Sequence, residues 1–347
     1  MEKIDIYSML PEELADFFVK LGEPKFRAKQ VFPRIAAGER ITEITTLSKK
    51  LREELKEAVL DTVPEIELKL TSKIDGTVKY LFKLYDGACI ESVLMKYKHG
   101  NTLCISTQVG CRMGCKFCAS TILGRERDLL PSELLGQIIA AQRDSGERVD
   151  NVVMMGIGEP LDNYDNVVKF LRLVGHPDGL NIGYRHISLS TSGIVPKILE
   201  LAELDLPITL SISLHAATDE KRSLIMPVNK KWNIDALLSA CRDYYKKTSR
   251  RISFEYTLIS GKNDTESDAI ELSALLKSYF VPIGAPIHVN LIRVNEVEET
   301  GFKAGTKDSA ERFAEMLNNR GVVATVRRRL GSDVNAACGQ LRRSSIK

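Results

Sequence analysis

The chain has 347 residues, 44% of them hydrophobic and 27% charged, and a formal net charge of +3. No run approaches the ~18 uninterrupted apolar residues of a membrane span, and the overall charge is too mild to announce a general polyanion binder. Seven cysteines, three of them within eight positions, point to metal or redox chemistry rather than a disulfide framework in a reducing compartment. The start, Met1-Glu2-Lys3-Ile4-Asp5, has acidic residues and no apolar export segment, so a cytoplasmic protein is expected.

Residues 1 to about 60 are helix-patterned, rich in Lys, Glu and Leu, and read as a small helical accessory domain. Residues 61–98 read as a connector of antiparallel strands, with Asp75-Gly76 and Asp86-Gly87 as hairpin turns. From about 99 to 330, β-branched runs alternate with amphipathic helical stretches. The strand candidates are Thr102–Thr107, Asn151–Met155, His186–Thr191, Ile208–His215, Ile252–Ile259, Ile287–Val294 and Val322–Arg327. Helix starts are marked by Pro131-Ser132-Glu133, by Asn233 and by Asp264-Thr265-Glu266. Strands joined by helix-sized connections must be parallel, in right-handed βαβ units. A partial or full (β/α) barrel is therefore expected. A doubly wound open sheet is the alternative, but no Gly-rich dinucleotide fingerprint follows the first strand. Residues 331–347 form a last segment. Over 327–347 the six basic residues Arg327, Arg328, Arg329, Arg342, Arg343 and Lys347 face the lone acid Asp333, which suits phosphate contact as well as a solvated tail.

Cys111, Cys115 and Cys118, separated by three and two residues, follow the first barrel strand. Barrels of this type build active sites at that end of the strands. Three thiolates on one loop can hold a four-iron cluster and leave one iron open. Structural zinc is the competing reading, but no second Cys pair or nearby His completes four ligands. Met154-Met155-Gly156-Ile157-Gly158-Glu159-Pro160 ends the second strand, where glycine lets backbone approach a ligand and Glu159 can receive an ammonium. Ser190, Ser213, His215 and Asn290 end three later strands on the same expected rim. Each alone would be an ordinary loop residue. Cys89 and Cys241 read as small buried apolar residues.

The cysteine spacing, with Phe117 before the last Cys, resembles the radical S-adenosylmethionine (SAM) superfamily. The chain as a whole closely resembles the RNA adenine C2 methyltransferases of large-subunit ribosomal RNA and certain transfer RNAs. The likeness covers Pro24-Lys25-Phe26-Arg27-Ala28-Lys29-Gln30, the cluster loop, the Gly158-Glu159-Pro160 turn, Ser190-Thr191-Ser192-Gly193, Ser213-Leu214-His215-Ala216 and Ala336-Ala337-Cys338-Gly339-Gln340-Leu341. The resemblance implies a [4Fe-4S] cluster on Cys111, Cys115 and Cys118, and two SAM molecules per turnover, with SAM contacts at Gly158, Glu159, Ser190, Ser213, His215 and Asn290. It further implies that the Cys338 thiolate takes a methyl group from one SAM and that a deoxyadenosyl radical from the second removes a hydrogen from that methyl. The resulting carbon radical adds to C2 of adenine. Glu91 then acts as base, and Cys104 releases the product by forming a disulfide with Cys338. The implied partners are ribosomal and transfer RNA and an electron donor such as flavodoxin or ferredoxin, with no membrane and a monomeric chain. The related C8 adenine methyltransferases, which confer antibiotic resistance, share the cysteines but tend to have Glu-Ala where this chain has Glu159-Pro160. A zinc-stabilised RNA-binding module would explain the cysteines and the basic tail without catalysis.

Overall fold

The computed structural model describes residues 3–334. Helices α1 (Pro11–Lys20), α2 (Arg27–Ala36) and α3 (Lys49–Ala58) pack on one another through a cluster, separate from the main core, that includes Leu14, Phe18, Val31, Phe32, Leu51 and Leu55 and that Leu173 joins from the rest of the chain. This unit is tied to the rest of the chain by polar contacts: Ser132 Oγ donates to Asp5 (2.7 Å), and Arg143 donates to the Gly38 carbonyl (2.7 Å).

The antiparallel strands follow: β1 (Glu65–Thr71), β2 (Val78–Lys83) and β3 (Cys89–Tyr97). Both hairpin turns stand where Asp-Gly places them, with Gly76 and Gly87 at φ +72° and +86°, a conformation that costs glycine nothing. Cys89, at the head of β3, is half-buried, whereas Cys241 is wholly buried as expected.

Next come β4 (Gly100–Cys104) and a short antiparallel pair, β5 (Gln108–Gly110) with β6 (Arg125–Asp128), which closes the base of the cysteine loop. The alternation then runs α4 (Pro131–Ser145), β7 (Asn151–Met154), α5 (Tyr164–Val174), β8 (Ile187–Thr191), α6 (Val195–Glu203) and β9 (Thr209–Ser213). It continues with α7 (Asp219–Ile225), α8 (Ile234–Thr248), β10 (Ile252–Leu258), α9 (Glu266–Phe280), β11 (His288–Arg293), α10 (Lys307–Asn318) and β12 (Val323–Val326). The helix-start signals act as caps: Asn233 accepts from Ala236 N (2.9 Å), and Thr265 and Asp268 cap each other reciprocally.

One ten-stranded sheet results, ordered β1-β2-β3-β4-β7-β8-β9-β10-β11-β12. Its last seven strands are parallel, and β3 adds antiparallel to β4, so the strands read as a connector extend the barrel sheet itself. β1 and β12 are unpaired with each other, and the barrel is partial. Outward residues such as Leu103, Leu189, Ile212, Phe254, Tyr256 and Leu291 form the main core with the helices. Inward positions are shorter or polar: Cys104, Ser190, Ser211, Ser213, Glu255, Thr257 and Asn290. That alternation leaves room inside the sheet for a ligand. Among the described residues, no helix is long and apolar enough to cross a membrane.

Candidate active site

A cavity of about 340 Å³ opens at the C-terminal ends of the parallel strands. It is lined by Cys111, Cys115 and Cys118 on one side and by Cys104, Val93, Met95 and Met155 on another. Gly158, Glu159, Ser190, Ser213 and His215 complete the wall. The fold thus gathers three cysteines of the loop, Cys104 and five of the six expected SAM contacts around one space.

Each residue is held there by identifiable bonds. Gly158 has φ +110°, and a Cβ at this position would lie 2.7 Å from the backbone nitrogen of Gln108. Only glycine allows this close crossing of two strand ends. Glu159 is buried and spends both oxygens on backbone amides, Leu161 N (3.0 Å) and Ser192 N (2.6 Å). Burial pushes its carboxyl up while these amides pull it back. His215 adopts φ +58° and accepts from Thr257 N at Nδ1 (2.9 Å), which leaves the proton on Nε2. Burial, followed by the charge of Arg222, pushes its pKa down to about 3, so the ring is neutral.

Asn290 does not line the cavity. It reaches it through Glu255, a lining carboxylate that accepts from Asn290 Nδ2 (2.7 Å) and from Ser253 Oγ (3.1 Å). Glu91 is likewise off the lining, on the same face of β3 as Val93 and Met95, and lies 3.0 Å from the Lys79 ammonium with both side chains buried. Cys104 stands opposite Val93 and packs in a small cluster with Met95, Val153, Met155 and Leu330. Cys338, Arg342 and Arg343 lie outside the described residues.

Several contributors were not singled out from the sequence. The β5–β6 pair and Gln108, which donates to Asp128 and Asp162 and accepts from Glu159 N, brace the loop. Glu255 and Arg222 are wholly interior. Glu255 had a readable signal: in Ile252–Leu258 the polar Ser253, Glu255 and Thr257 alternate with Phe254, Tyr256 and Leu258, so one buried face is polar.

Residues 105–273 match the radical SAM superfamily, and residues 4–60 match the ribosomal RNA large subunit methyltransferase N-terminal domain. A probable dual-specificity RNA methyltransferase RlmN from Alkaliphilus oremlandii is 52% identical over 348 residues, covering 100% of each chain. Another, from Clostridium botulinum, is 55% identical over 337 residues, covering 97% of this chain and 95% of that protein. The chain belongs to the RlmN family of radical SAM methyltransferases. The fold agrees: the crystal structure of a radical SAM methyltransferase from Sphaerobacter thermophilus superposes with a TM-score of 0.91 at 38% identity, covering 97% of this chain and 98% of that one.

RlmN-family membership implies a [4Fe-4S] cluster and SAM, and the loop suits the cluster. Burial pushes the Cys111 thiol up to about 12 and raises Cys115 well above its ordinary value, each also raised by the neighbouring loop thiols. Sulfurs so placed give up their protons only to a strongly positive partner. Among the described residues, no three His, Cys, Asp or Glu side chains converge as ligands of a single ion.

Proposed function

We propose that this chain methylates C2 of adenosine in large-subunit ribosomal RNA and in transfer RNA, with Cys338 as methyl carrier and Cys104 as the thiol that resolves the covalent adduct. The observation that carries this reading is the position of Cys104, on the wall of the same cavity that the three loop cysteines line. Leu330, eight residues before Cys338 in sequence, packs in the Cys104 cluster. A chain of eight residues spans up to about 28 Å, a length sufficient for Cys338 to reach Cys104.

Cys111, Cys115 and Cys118 would hold the cluster, with Gly158, Glu159, Ser190, Ser213, His215 and Asn290 around SAM. When bound, cluster and SAM supply a radical able to remove a hydrogen from an unactivated methyl group. The Cys338 thiolate accepts the methyl and later bonds its carbon to C2. Glu91 takes the C2 proton, and its Lys79 partner steadies the carboxylate that does so. Once the unpaired electron has left the adduct for the bound cluster, the Cys104 thiolate would attack Cys338 Sγ, forming the S–S bond as the Sγ–CH2 bond breaks; the electron pair goes to the methylene, which takes a proton to become the methyl of the departing base, and an external reductant reopens the disulfide. A small acidic redox protein such as flavodoxin or ferredoxin would supply the electrons to a monomeric enzyme in the cytoplasm.

The helical unit, residues 1–60, suits RNA. Lys25, Arg27 and Lys29 lie within three residues of Phe26 in sequence; Phe26 is 52% exposed, and the Arg27 guanidinium stands 5.2 Å from its ring centre. An exposed ring beside cations is a surface on which an unpaired base stacks. At the cavity mouth, Arg328 and Arg329 are exposed and available to phosphate. The test is nucleoside mass spectrometry of ribosomal and transfer RNA from cells with and without the gene. Loss of 2-methyladenosine on deletion, restored by the wild-type gene and not by Cys338→Ala, is expected. Loss of 8-methyladenosine instead, or no change in either, defeats the assignment.

A further inference from the structure

The largest wholly buried side chain among the described residues is a cation, Arg222 of α7. Its guanidinium donates from Nε to Leu214 O (3.0 Å), from Nη1 to Asn229 Oδ1 (2.9 Å), and from Nη2 to Ser192 O (2.7 Å) and Ser213 O (3.0 Å). All four acceptors are neutral. Among the described residues, Arg222 makes no ion pair with a carboxylate within 4.0 Å. Asp219 is reached only through Asn229, whose Nδ2 donates to Asp219 Oδ1 (2.9 Å). Burying a guanidinium among dipoles keeps its charge largely uncompensated, a costly arrangement that calls for a nearby anion.

The candidate anion is beside it. Cys115 packs against the cluster of Ile225 and Met226 that follows Arg222 in the chain, and it lines the same cavity as Ser192 and Ser213, whose carbonyls Arg222 holds. The loop is also fastened to the same helix, since Lys116 N donates to Ile225 O (2.9 Å). Three of the four acceptors are the carbonyls that end β8 and β9, the strands that carry Ser190 and Ser213.

We propose that Arg222 is a positioning residue that supplies the counter-charge to the cluster on Cys111, Cys115 and Cys118 and locks the ends of β8 and β9 against it. The proposal rests on reading those cysteines as the cluster's ligands. Reduction adds one negative charge to the cluster, so a fixed cation in a low-dielectric site favours the reduced form. Asp219, one amide further away, acts in the opposite sense.

The experiment uses the full chain, anaerobically reconstituted with iron and sulfide, as wild type, Arg222→Gln, Arg222→Lys and Asp219→Asn. Iron content and the EPR-monitored midpoint potential are measured without SAM or RNA. In Arg222→Gln the reduced-to-oxidised ratio at fixed poise should fall about tenfold, which is about 59 mV for one electron. Arg222→Lys, which keeps the charge, should stay within about twofold of wild type, and Asp219→Asn should shift the potential upward. A fully loaded Arg222→Gln at the wild-type potential overturns the proposal. So does an Arg222→Lys that shifts as far as Arg222→Gln, because geometry rather than charge would then be at work. If Arg222→Gln does not fold, Asp219→Asn decides: an upward shift supports the counter-charge, and none overturns it. A wild-type protein that takes up no iron instead defeats the reading of the three cysteines.

Discussion

Replacing Cys104 by Ala separates a chemical role from a structural one. Cys104 is 3% exposed and touches Val93, Met95, Val153, Met155 and Leu330. Removing one buried sulfur while keeping Cβ leaves a void near the size of a methyl group, which costs about 1 kcal/mol. For a chain of this length that lowers the melting temperature by about 2 °C, so the variant should be folded and cluster-loaded at 25 °C. A residue that only fills space would then leave turnover within a few-fold of wild type. As the resolving thiol, its loss stops the reaction after RNA is attached, and the protein should accumulate as a covalent RNA adduct through Cys338. A denaturing gel after incubation with RNA, SAM and reductant reads the adduct directly, with Cys338→Ala as the lane that must stay empty. A Cys104→Ala enzyme that turns over normally and carries no RNA refutes the resolving role.

Gly158→Ala forces a Cβ to 2.7 Å from Gln108 N at φ +110°. It should cost about 1–3 kcal/mol and weaken SAM binding, both measurable by thermal unfolding and calorimetric titration; unchanged SAM affinity would place the ligand elsewhere. His215→Asn keeps a residue type tolerant of positive φ. The histidine's folded pKa, about 3, lies below its ordinary 6.5, so the unfolded state takes up the proton first as the pH falls. The stability it contributes is whole above pH 6.5 and is lost toward pH 3. The wild type should therefore lose ground to His215→Asn by about 1.4 kcal/mol per pH unit within that window, and parallel denaturation curves at pH 7 and 5 would contradict this. Arg328→Ala with Arg329→Ala should weaken RNA binding and lower the slope of log K against log salt by about 1 for each phosphate no longer neutralised; an unchanged slope returns both to a solvated surface.

The seven parallel strands were legible because their β-branched runs are separated by helix-sized segments with visible caps, as at Asn233 and Thr265. The β5–β6 pair was not, since strands of three and four residues carry no periodicity to detect. The loop cysteines announce themselves by spacing alone. Cys104 and Glu91 acquire meaning only from the family resemblance, because a lone Cys or Glu on a strand has no local signature. Arg222 was invisible for a different reason. In Asp219-Glu220-Lys221-Arg222-Ser223 it reads as one more charge on a solvated helix, and only the tertiary fold turns that position inward, where burial pushes its pKa down to about 10 yet leaves it charged at neutral pH.

The bond from Lys116 N to Ile225 O fixes more than distance; it also sets an order of assembly. Cys111, Cys115 and Cys118, the proposed cluster ligands, emerge early in synthesis, roughly a hundred residues before the helix that anchors their loop. At about 5–20 residues per second, the nascent chain spends about 5–20 s with exposed thiols and no finished cradle. Iron delivered in that interval would meet a flexible peptide open to oxidation, so insertion is best timed after the ribosome has passed α7, when the loop acquires its final shape.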